Sequence, residues 1–216
     1  SSSRISDAFN AAENVPEVGT KSDSLEYSLM RARLEVYYEV IPSNSLRLFQ
    51  AKFDKNPNDA NTYGLALAHQ KNNNYNQSII YLDKLIQKYP KNLVINTTKV
   101  DVLTSFGNFN EALLLVDKFL EISPKNYPLS ISKSKLLLAM KRYFESEEII
   151  RDQLLRKNDD PELWLLLSEI QKNSQNILGY HQSRAEYLLL LGRDEQALNQ
   201  LEFALKMTTN NFQASE

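Results

Sequence analysis

The sequence predicts an all-α protein, a right-handed superhelix of antiparallel helix pairs that forms an α-α solenoid. Three observations indicate this fold class. Residues of the same type recur at an interval of 34 positions. Apolar residues within each interval follow the spacing of an amphipathic helix, as in Ile79-Leu82-Leu85-Ile86. The 216 residues include only 5 glycines and 7 prolines, too few for the frequent turns of an all-β protein.

This regular interval is visible in three residue classes. Prolines recur at intervals of 33 and then 34, namely Pro57, Pro90 and Pro124. Aromatic residues recur at intervals of 34, namely Tyr75, Phe109 and Tyr143. A small residue follows each aromatic residue three positions later, namely Ser78, Ala112 and Ser146. This period is the signature of the tetratricopeptide repeat, a helix-turn-helix unit whose remaining apolar surface is buried by the next unit.

The phase of the repeats predicts how the chain is organised. A flexible linker over residues 1–21 and a tail over 210–216 are expected to flank a repeat domain over 22–209. Helix pairs are predicted over about 23–56, 59–90, 93–124, 127–158 and 161–191, followed by a closing helix over 193–208. Ala197 lies 51 positions after Ser146, which is one and a half periods. The helix over 177–191 is therefore expected to serve both the last pair and the closing helix, with a tight turn at Gly192.

Specific inner residues are also predicted for the two ends of the domain. In the first helix the inner residues are expected to be Leu25, Leu29, Ala32, Val36 and Tyr37. In the closing helix the packing residues are expected to be Leu198, Leu201, Phe203 and Leu205. The run Leu188–Leu191 is apolar on all sides of its helix, and it predicts either a helix between two neighbours or an exposed docking surface.

The composition excludes several kinds of partner and site. The formal net charge is -2 and the basic residues are scattered, which is not the pattern of a nucleic-acid-binding protein. The absence of cysteine excludes disulfides and thiolate metal sites. No apolar run approaches the roughly 18 residues that a membrane-spanning helix needs. We therefore expect neither nucleic acid binding nor membrane insertion.

Nothing in the sequence indicates catalysis, and the chain is expected not to be an enzyme. The two histidines, His69 and His181, lie far apart in the sequence, and no His-Glu-x-x-His motif occurs. His69 occupies a repeat position usually given to tyrosine, so a packing role is expected. His181 lies near a helix start, where an exposed or docking role is expected. A repeat protein that is itself an enzyme would need titratable residues clustered on one face, and the sequence indicates no such cluster.

Repeat arrays usually bind partners through the concave face, which the first helix of each pair lines. Counting from the prolines, this face is predicted to contain Tyr63, Leu67, Gln70, Val94, Thr97, Asp101, Thr104, Ile131, Lys135, Leu138, Gln182 and Glu186. The expected ligands are proteins or peptides. Lys71 and Lys135 are the only evident candidates for binding a free carboxylate, which favours charged donors.

Two segments, residues 23–34 and 180–192, go beyond the generic repeat. They resemble the C-terminal repeat region of bacterial periplasmic zinc metalloproteases related to the β-barrel assembly-enhancing protease. Residues 3–7 are also similar to the linker after the protease domain of that family, and we interpret the start of the sequence as a cut within a longer chain. The resemblance implies a periplasmic location and a zinc-binding protease domain before Ser1, with no cofactor in the chain itself.

The resemblance also implies partners, namely the protein's own protease domain, the outer-membrane assembly machinery or its client proteins. The alternative is a free-standing scaffold or adaptor with no protease attached, which would be cytoplasmic. The two hypotheses differ in whether the parent gene encodes a His-Glu-x-x-His helix upstream of Ser1.

Overall fold

A computed structural model describes residues 24–213, and within that range the chain forms eleven α-helices and no β-strand. The helices are α1 (Leu25–Tyr38), α2 (Pro42–Lys55), α3 (Asp59–Lys71), α4 (Tyr75–Lys88), α5 (Leu93–Phe106), α6 (Phe109–Ile122), α7 (Tyr127–Ala139), α8 (Tyr143–Leu154), α9 (Pro161–Asn173), α10 (Ile177–Leu190) and α11 (Asp194–Gln213). The predicted linker over 1–21 and the last residues of the predicted tail lie outside the described residues.

Most helices pack against their neighbours in the chain, whereas α1 packs against α3. From α2 to α11, every helix contacts the next one. The first helices of successive pairs also contact each other directly in two cases, α1 with α3 and α5 with α7. Helix α10 packs against both α9 and α11. This architecture confirms the predicted fold class of an α-α solenoid.

The first helix of each of the five pairs starts with the same device at the same repeat position. The side chain of the residue before the helix accepts a hydrogen bond from a backbone N–H in the first turn, with distances of 2.8–3.2 Å. The capping residues are Ser24, Asn58, Asn92, Asn126 and Asp160. Such a cap typically contributes about 1 kcal/mol to helix stability. The chain therefore fixes the start of each unit locally, once per period.

The turn inside each of the last four pairs also repeats. Asn73, Gly107, Lys141 and Gln175 all have positive φ, between 60° and 86°. This region is favourable for glycine and tolerated by asparagine, whereas lysine and glutamine adopt it less readily. Gly192 has φ 66° between α10 and α11, which agrees with the tight turn expected there.

The small residues lie where the second helix of a pair meets its neighbours. Ser78, Ala112 and Ser146 are fully buried, and Ala197 is buried in α11. In α8 the Ser146 hydroxyl also donates a hydrogen bond of 2.8 Å to the Ser134 carbonyl oxygen of α7. A larger side chain at these positions would separate the helices.

The structure corrects the predicted packing at both ends of the domain. Tyr37 is 73% exposed rather than buried in α1. The four residues predicted to pack the closing helix are also exposed, and α11 instead buries Ala197 and Ala204; the four are Leu198, Leu201, Phe203 and Leu205. A terminal helix with one neighbour buries one stripe of its surface, and here that stripe contains the alanines. Helix α11 also continues to Gln213, beyond the predicted end at 208 and into the predicted tail.

Gly64 of α3 allows the ring of Phe49 in α2 to lie against the α3 backbone. A Cβ atom at residue 64 would be 2.0 Å from Cε1 of Phe49, a ring that is itself 1% exposed. We expect Gly64→Ala to lower the free energy of unfolding by about 1–3 kcal/mol, the usual effect of overpacking a core. Urea denaturation measures the change.

The control is the same substitution in a Phe49→Leu background, where the smaller side chain makes room for the methyl group. The loss caused by Gly64→Ala should shrink in that background. An equal loss in both backgrounds would show that the contact with Phe49 is not the cause.

Candidate functional site

A groove of about 550 Å³ lies on the face formed by α1, α3 and α5, and we call it the α1/α3/α5 groove. Its lining residues are Arg33, Val36, Tyr37, Leu67, Gln70, Lys71, Asn73, Tyr75, Thr98, Asp101 and Ser105. The lining combines four apolar or aromatic residues with seven polar or charged ones. This composition is typical of sites in which apolar contact provides area and polar groups fix orientation.

The repeat period explains how the groove is assembled. Positions 33, 67, 101 and 135 are related by the interval of 34, and they hold Arg33, Leu67, Asp101 and Lys135. The first three of these residues line the groove. Equivalent positions on successive first helices therefore form a row along this face, with a positive charge at its start.

Arg33 is held in place by hydroxyl groups from two other helices. Its Nε and Nη2 atoms donate to the hydroxyl oxygen of Tyr63 at 3.1 and 2.5 Å. The Nη2 atom also donates to Oγ1 of Thr98 at 2.6 Å. The Tyr63 and Thr98 hydroxyls lie 2.7 Å apart, so the three side chains form one closed network across α1, α3 and α5.

The guanidinium of Arg33 has no ion-pair partner in the described part of the chain. No aspartate or glutamate in residues 24–213 lies within ion-pair distance of it. Tyr63 is fully buried, and this burial raises the pKa of its hydroxyl, so Tyr63 remains a neutral acceptor. Arg33 therefore presents an unpaired positive charge to the groove.

Asp101 is the acidic residue of the groove. The Ser132 hydroxyl of α7 donates to its Oδ1 atom at 2.7 Å. Burial raises the pKa of Asp101, while the Ser132 hydrogen bond and the charges of Lys135 and Arg33 act in the opposite direction. No described residue donates a hydrogen bond to the Oδ2 atom, which leaves one acceptor available on this carboxyl group.

The sequence made Lys71 a candidate for binding a free carboxylate, but its ammonium group has other partners in the structure. Its Nζ atom donates to the carbonyl oxygens of Val36, Tyr37 and Glu39 at 2.6, 3.2 and 2.5 Å. These oxygens belong to the C-terminal end of α1, where a cation is favourable. All three donors of the ammonium group are used, so Lys71 is not available for a ligand carboxylate.

The predicted concave-face residues separate into three groups. Leu67, Gln70 and Asp101 line the groove. Tyr63 and Thr97 are buried, which corrects their prediction as contact residues, and the Thr97 hydroxyl donates to the Leu93 carbonyl oxygen at 2.6 Å. The remaining predicted residues are half-buried or exposed and lie outside the groove, namely Val94, Thr104, Ile131, Lys135, Leu138, Gln182 and Glu186.

Two residues of the network are missing from the predicted face. Arg33 is absent because the face was counted from the second pair onward. Subtracting one period from Leu67 gives position 33, so the signal is present in the sequence. Thr98 is absent for a different reason. It is 2% exposed, and its importance comes from the hydrogen bond that it accepts from Arg33.

Both histidines contact aromatic or polar side chains of neighbouring helices. The His69 ring stacks on Tyr81 with centroids 5.6 Å apart, and burial lowers the pKa of this histidine. His181 is half-buried, and its Nδ1 atom lies 2.9 Å from Oε1 of Gln200 in α11. Its ring also stacks on Phe203, with centroids 5.5 Å apart. His69 therefore has the expected packing role, and His181 contacts the closing helix.

The leucine run 188–191 is covered on only part of its surface. Leu188 is 3% exposed, while the three leucines that follow it are 40–45% exposed. The expectation of a helix covered on both sides therefore holds for Leu188 alone.

The part of the chain that the structure describes contains neither a candidate metal site nor a helix that could span a membrane. No group of three or more histidine or acidic side chains in residues 24–213 could hold a metal ion. None of the helices in that range is both long and apolar enough to cross a membrane.

Comparison with known proteins identifies the repeat. Residues 103–170 match the family model described as tetratricopeptide repeat. The match covers the end of α5, all of α6, α7 and α8, and most of α9. A search of curated proteins finds no match. These findings support a tetratricopeptide repeat domain.

Solved structures share the fold at low sequence identity. A thermophilic tetratricopeptide repeat protein of Thermus thermophilus is 17% identical, with a TM-score of 0.66 over 83% of this chain and 98% of that chain. A tetratricopeptide repeat protein of Parabacteroides merdae is 13% identical, with a TM-score of 0.56 over 94% and 84%. MamA of Desulfovibrio magneticus is 10% identical, with a TM-score of 0.52 over 78% and 96%. At these identities the likeness concerns the fold alone.

The hydroxyl of Tyr63 should stabilise the helical array as well as orient Arg33. We expect Tyr63→Phe to lower the free energy of unfolding by about 1–2 kcal/mol, because Arg33 and Thr98 lose a hydrogen-bond partner. Urea denaturation near neutral pH measures the effect. The matched control is Tyr27→Phe on α1, where the tyrosine is 55% exposed and the stability should not change. Equal values for the two variants would contradict the role of the buried network.

Proposed function

We propose that the chain is a noncatalytic protein-binding region and that a partner protein occupies the α1/α3/α5 groove. Tetratricopeptide repeat domains are generally scaffolds for protein–protein interaction, and both the family match and the fold support such a domain here. The observation that carries the choice of surface is the groove itself. It combines apolar walls with a positive charge and a carboxyl oxygen that have no ion-pair partner and no hydrogen-bond donor, respectively, among residues 24–213.

The dimensions and lining of the groove suit an extended segment of a partner. A volume of about 550 Å³ accommodates several side chains but not a folded domain. Val36, Leu67 and Tyr75 offer apolar contact, while Gln70 and Ser105 offer polar groups at the opening. An extended segment has unpaired backbone groups and alternating side chains, so it can use both kinds of contact.

Ser105→Trp tests the groove because residue 105 is exposed and lines it, so an indole there fills the space without disturbing the core. The immobilised protein is incubated with a bacterial envelope extract, and retained proteins are quantified by mass spectrometry. We expect the variant to retain about tenfold less, or still less, of the specifically bound proteins than the wild type. A tenfold decrease corresponds to a loss of roughly 1.4 kcal/mol of binding free energy.

The matched control for this experiment is Gln77→Trp, which adds the same side chain at an exposed position of α4 outside the groove. The control should retain the same proteins as the wild type. If Ser105→Trp and the wild type retain the same proteins in equal amounts, the groove is not the binding surface.

We further propose that this region recruits substrates or partners for a periplasmic zinc metalloprotease that acts in quality control of outer-membrane protein assembly. The support is the resemblance of residues 23–34 and 180–192 to the repeat region of such proteases. The first segment contributes most of α1, including Arg33, and the second contributes most of α10 and Gly192. The alternative remains a free-standing scaffold or adaptor.

The parent gene distinguishes these two proposals. A metalloprotease parent requires a His-Glu-x-x-His motif upstream of the codon for Ser1, because two histidines on one helix face bind zinc and the glutamate activates water. We expect this motif in the upstream coding sequence, and we expect the encoded upstream domain to co-purify with this repeat region when the two are expressed separately. A parent gene without the motif would support the free-standing scaffold.

A further inference from the structure

The structure points to the chemistry of the bound segment. We infer that the α1/α3/α5 groove binds the side-chain carboxylate of an internal aspartate or glutamate, flanked by apolar residues, and that Arg33 is the residue that binds it. The inference rests on the proposed function, since it names the kind of segment that occupies the proposed groove.

The first argument is the state of the Arg33 guanidinium. Two of its three nitrogens, Nε and Nη2, are bonded to the Tyr63 and Thr98 hydroxyls, and Nη1 has no acceptor among the described residues. The planar guanidinium is thereby fixed in orientation before a ligand arrives, which reduces the entropy lost on binding. A fixed guanidinium with an open Nη1 atom and no ion-pair partner among residues 24–213 favours an anionic oxygen.

The second argument concerns the other charges around the groove. Lys71 is occupied at the C-terminal end of α1, and Lys135 lies outside the groove, in the repeat that follows Asp101. The Nη1 atom of Arg33 is therefore the cationic donor available to an anion among the described residues of the groove. Asp101 is in the same groove, and its ionised form would disfavour a ligand that brings two negative charges together. One isolated carboxylate fits this charge distribution.

The third argument distinguishes an internal side chain from a chain terminus. The Oδ2 atom of Asp101 has no hydrogen-bond donor among the described residues, and the backbone N–H groups on either side of an internal acidic residue can provide one. Between Arg33 and Asp101 the wall is formed by Leu67, which occupies the intervening position of the same row. An apolar residue next to the acidic residue would contact this leucine.

The probes for this inference are three pools of synthetic heptapeptides labelled with a fluorophore. The first pool has a central glutamate between two leucines, blocked termini, and mixed uncharged residues elsewhere. The second pool replaces the glutamate by glutamine. The third pool also contains glutamine but ends in a free carboxylate. Fluorescence polarisation measures binding of each pool to the intact chain.

We expect the glutamate pool to bind about tenfold more tightly than either glutamine pool, because a hydrogen bond between charged groups typically contributes about that much to affinity. The preference should decrease as salt is added, because the contact is partly open to solvent. Arg33→Gln should remove the preference. The matched control is Arg31→Gln on the same helix, where the arginine side chain is 66% exposed, pairs with Glu35 and lies outside the groove.

Several results would overturn the inference. Equal binding of the glutamate and glutamine pools would do so, and so would a preference for the pool with the free terminus. Absence of binding by all three pools would also overturn it. The proposed function is judged separately, by whether Ser105→Trp abolishes retention of envelope proteins. If Arg33→Gln fails to fold, Arg33→Lys takes its place in the test. This variant keeps the charge but loses the planar guanidinium donors, and the three pools are compared on it and on the wild type.

Discussion

The structure depends on the close approach of helices at one small residue in each of the three central pairs, those from α3 to α8. Ser78, Ala112 and Ser146 have no exposed surface, because neighbouring helices lie directly against them. This approach recurs once per period in α4, α6 and α8, so the second helices of these three pairs bury the same repeat position. A residue at a given repeat position therefore faces the same side in every unit, and a row of equivalent positions forms along the array.

The local structure of the chain follows the same period as the packing. Capping side chains occur at positions 24, 58, 92, 126 and 160, and positive φ angles occur at 73, 107, 141 and 175. Caps and turns set where each helix begins and how the chain reverses direction. Agreement between these local signals and the packing of the small residues means that every level of the sequence specifies the same fold.

This agreement explains why the fold class could be predicted while the depth of individual side chains could not. The period assigns a residue to a face of its helix, but burial depends on which side chain the neighbouring helix supplies. The period places Tyr63 correctly in the first helix of its pair, yet Tyr63 is fully buried beside α1, where Arg33 donates to its hydroxyl. The closing helix shows the same limit, because within residues 24–213 it packs mainly against α10, and Leu198 and Leu201 on its other faces are exposed. The candidate site is partly predictable for the same reason: Leu67 and Asp101 follow from the repeat position alone, whereas the role of Lys71 depends on where α1 ends relative to α3.

The burial of Tyr63 connects the core of the array to the charge of its groove. An ionised phenol would neutralise Arg33, but burial raises the pKa of Tyr63 and keeps the hydroxyl protonated. The network therefore orients the guanidinium through neutral oxygens and leaves its charge unchanged. A carboxylate at position 63 or 98 would instead cancel the charge of Arg33. Hydroxyl partners therefore keep the positive charge that the proposed binding site needs, whereas an acidic partner would turn the contact into a structural ion pair.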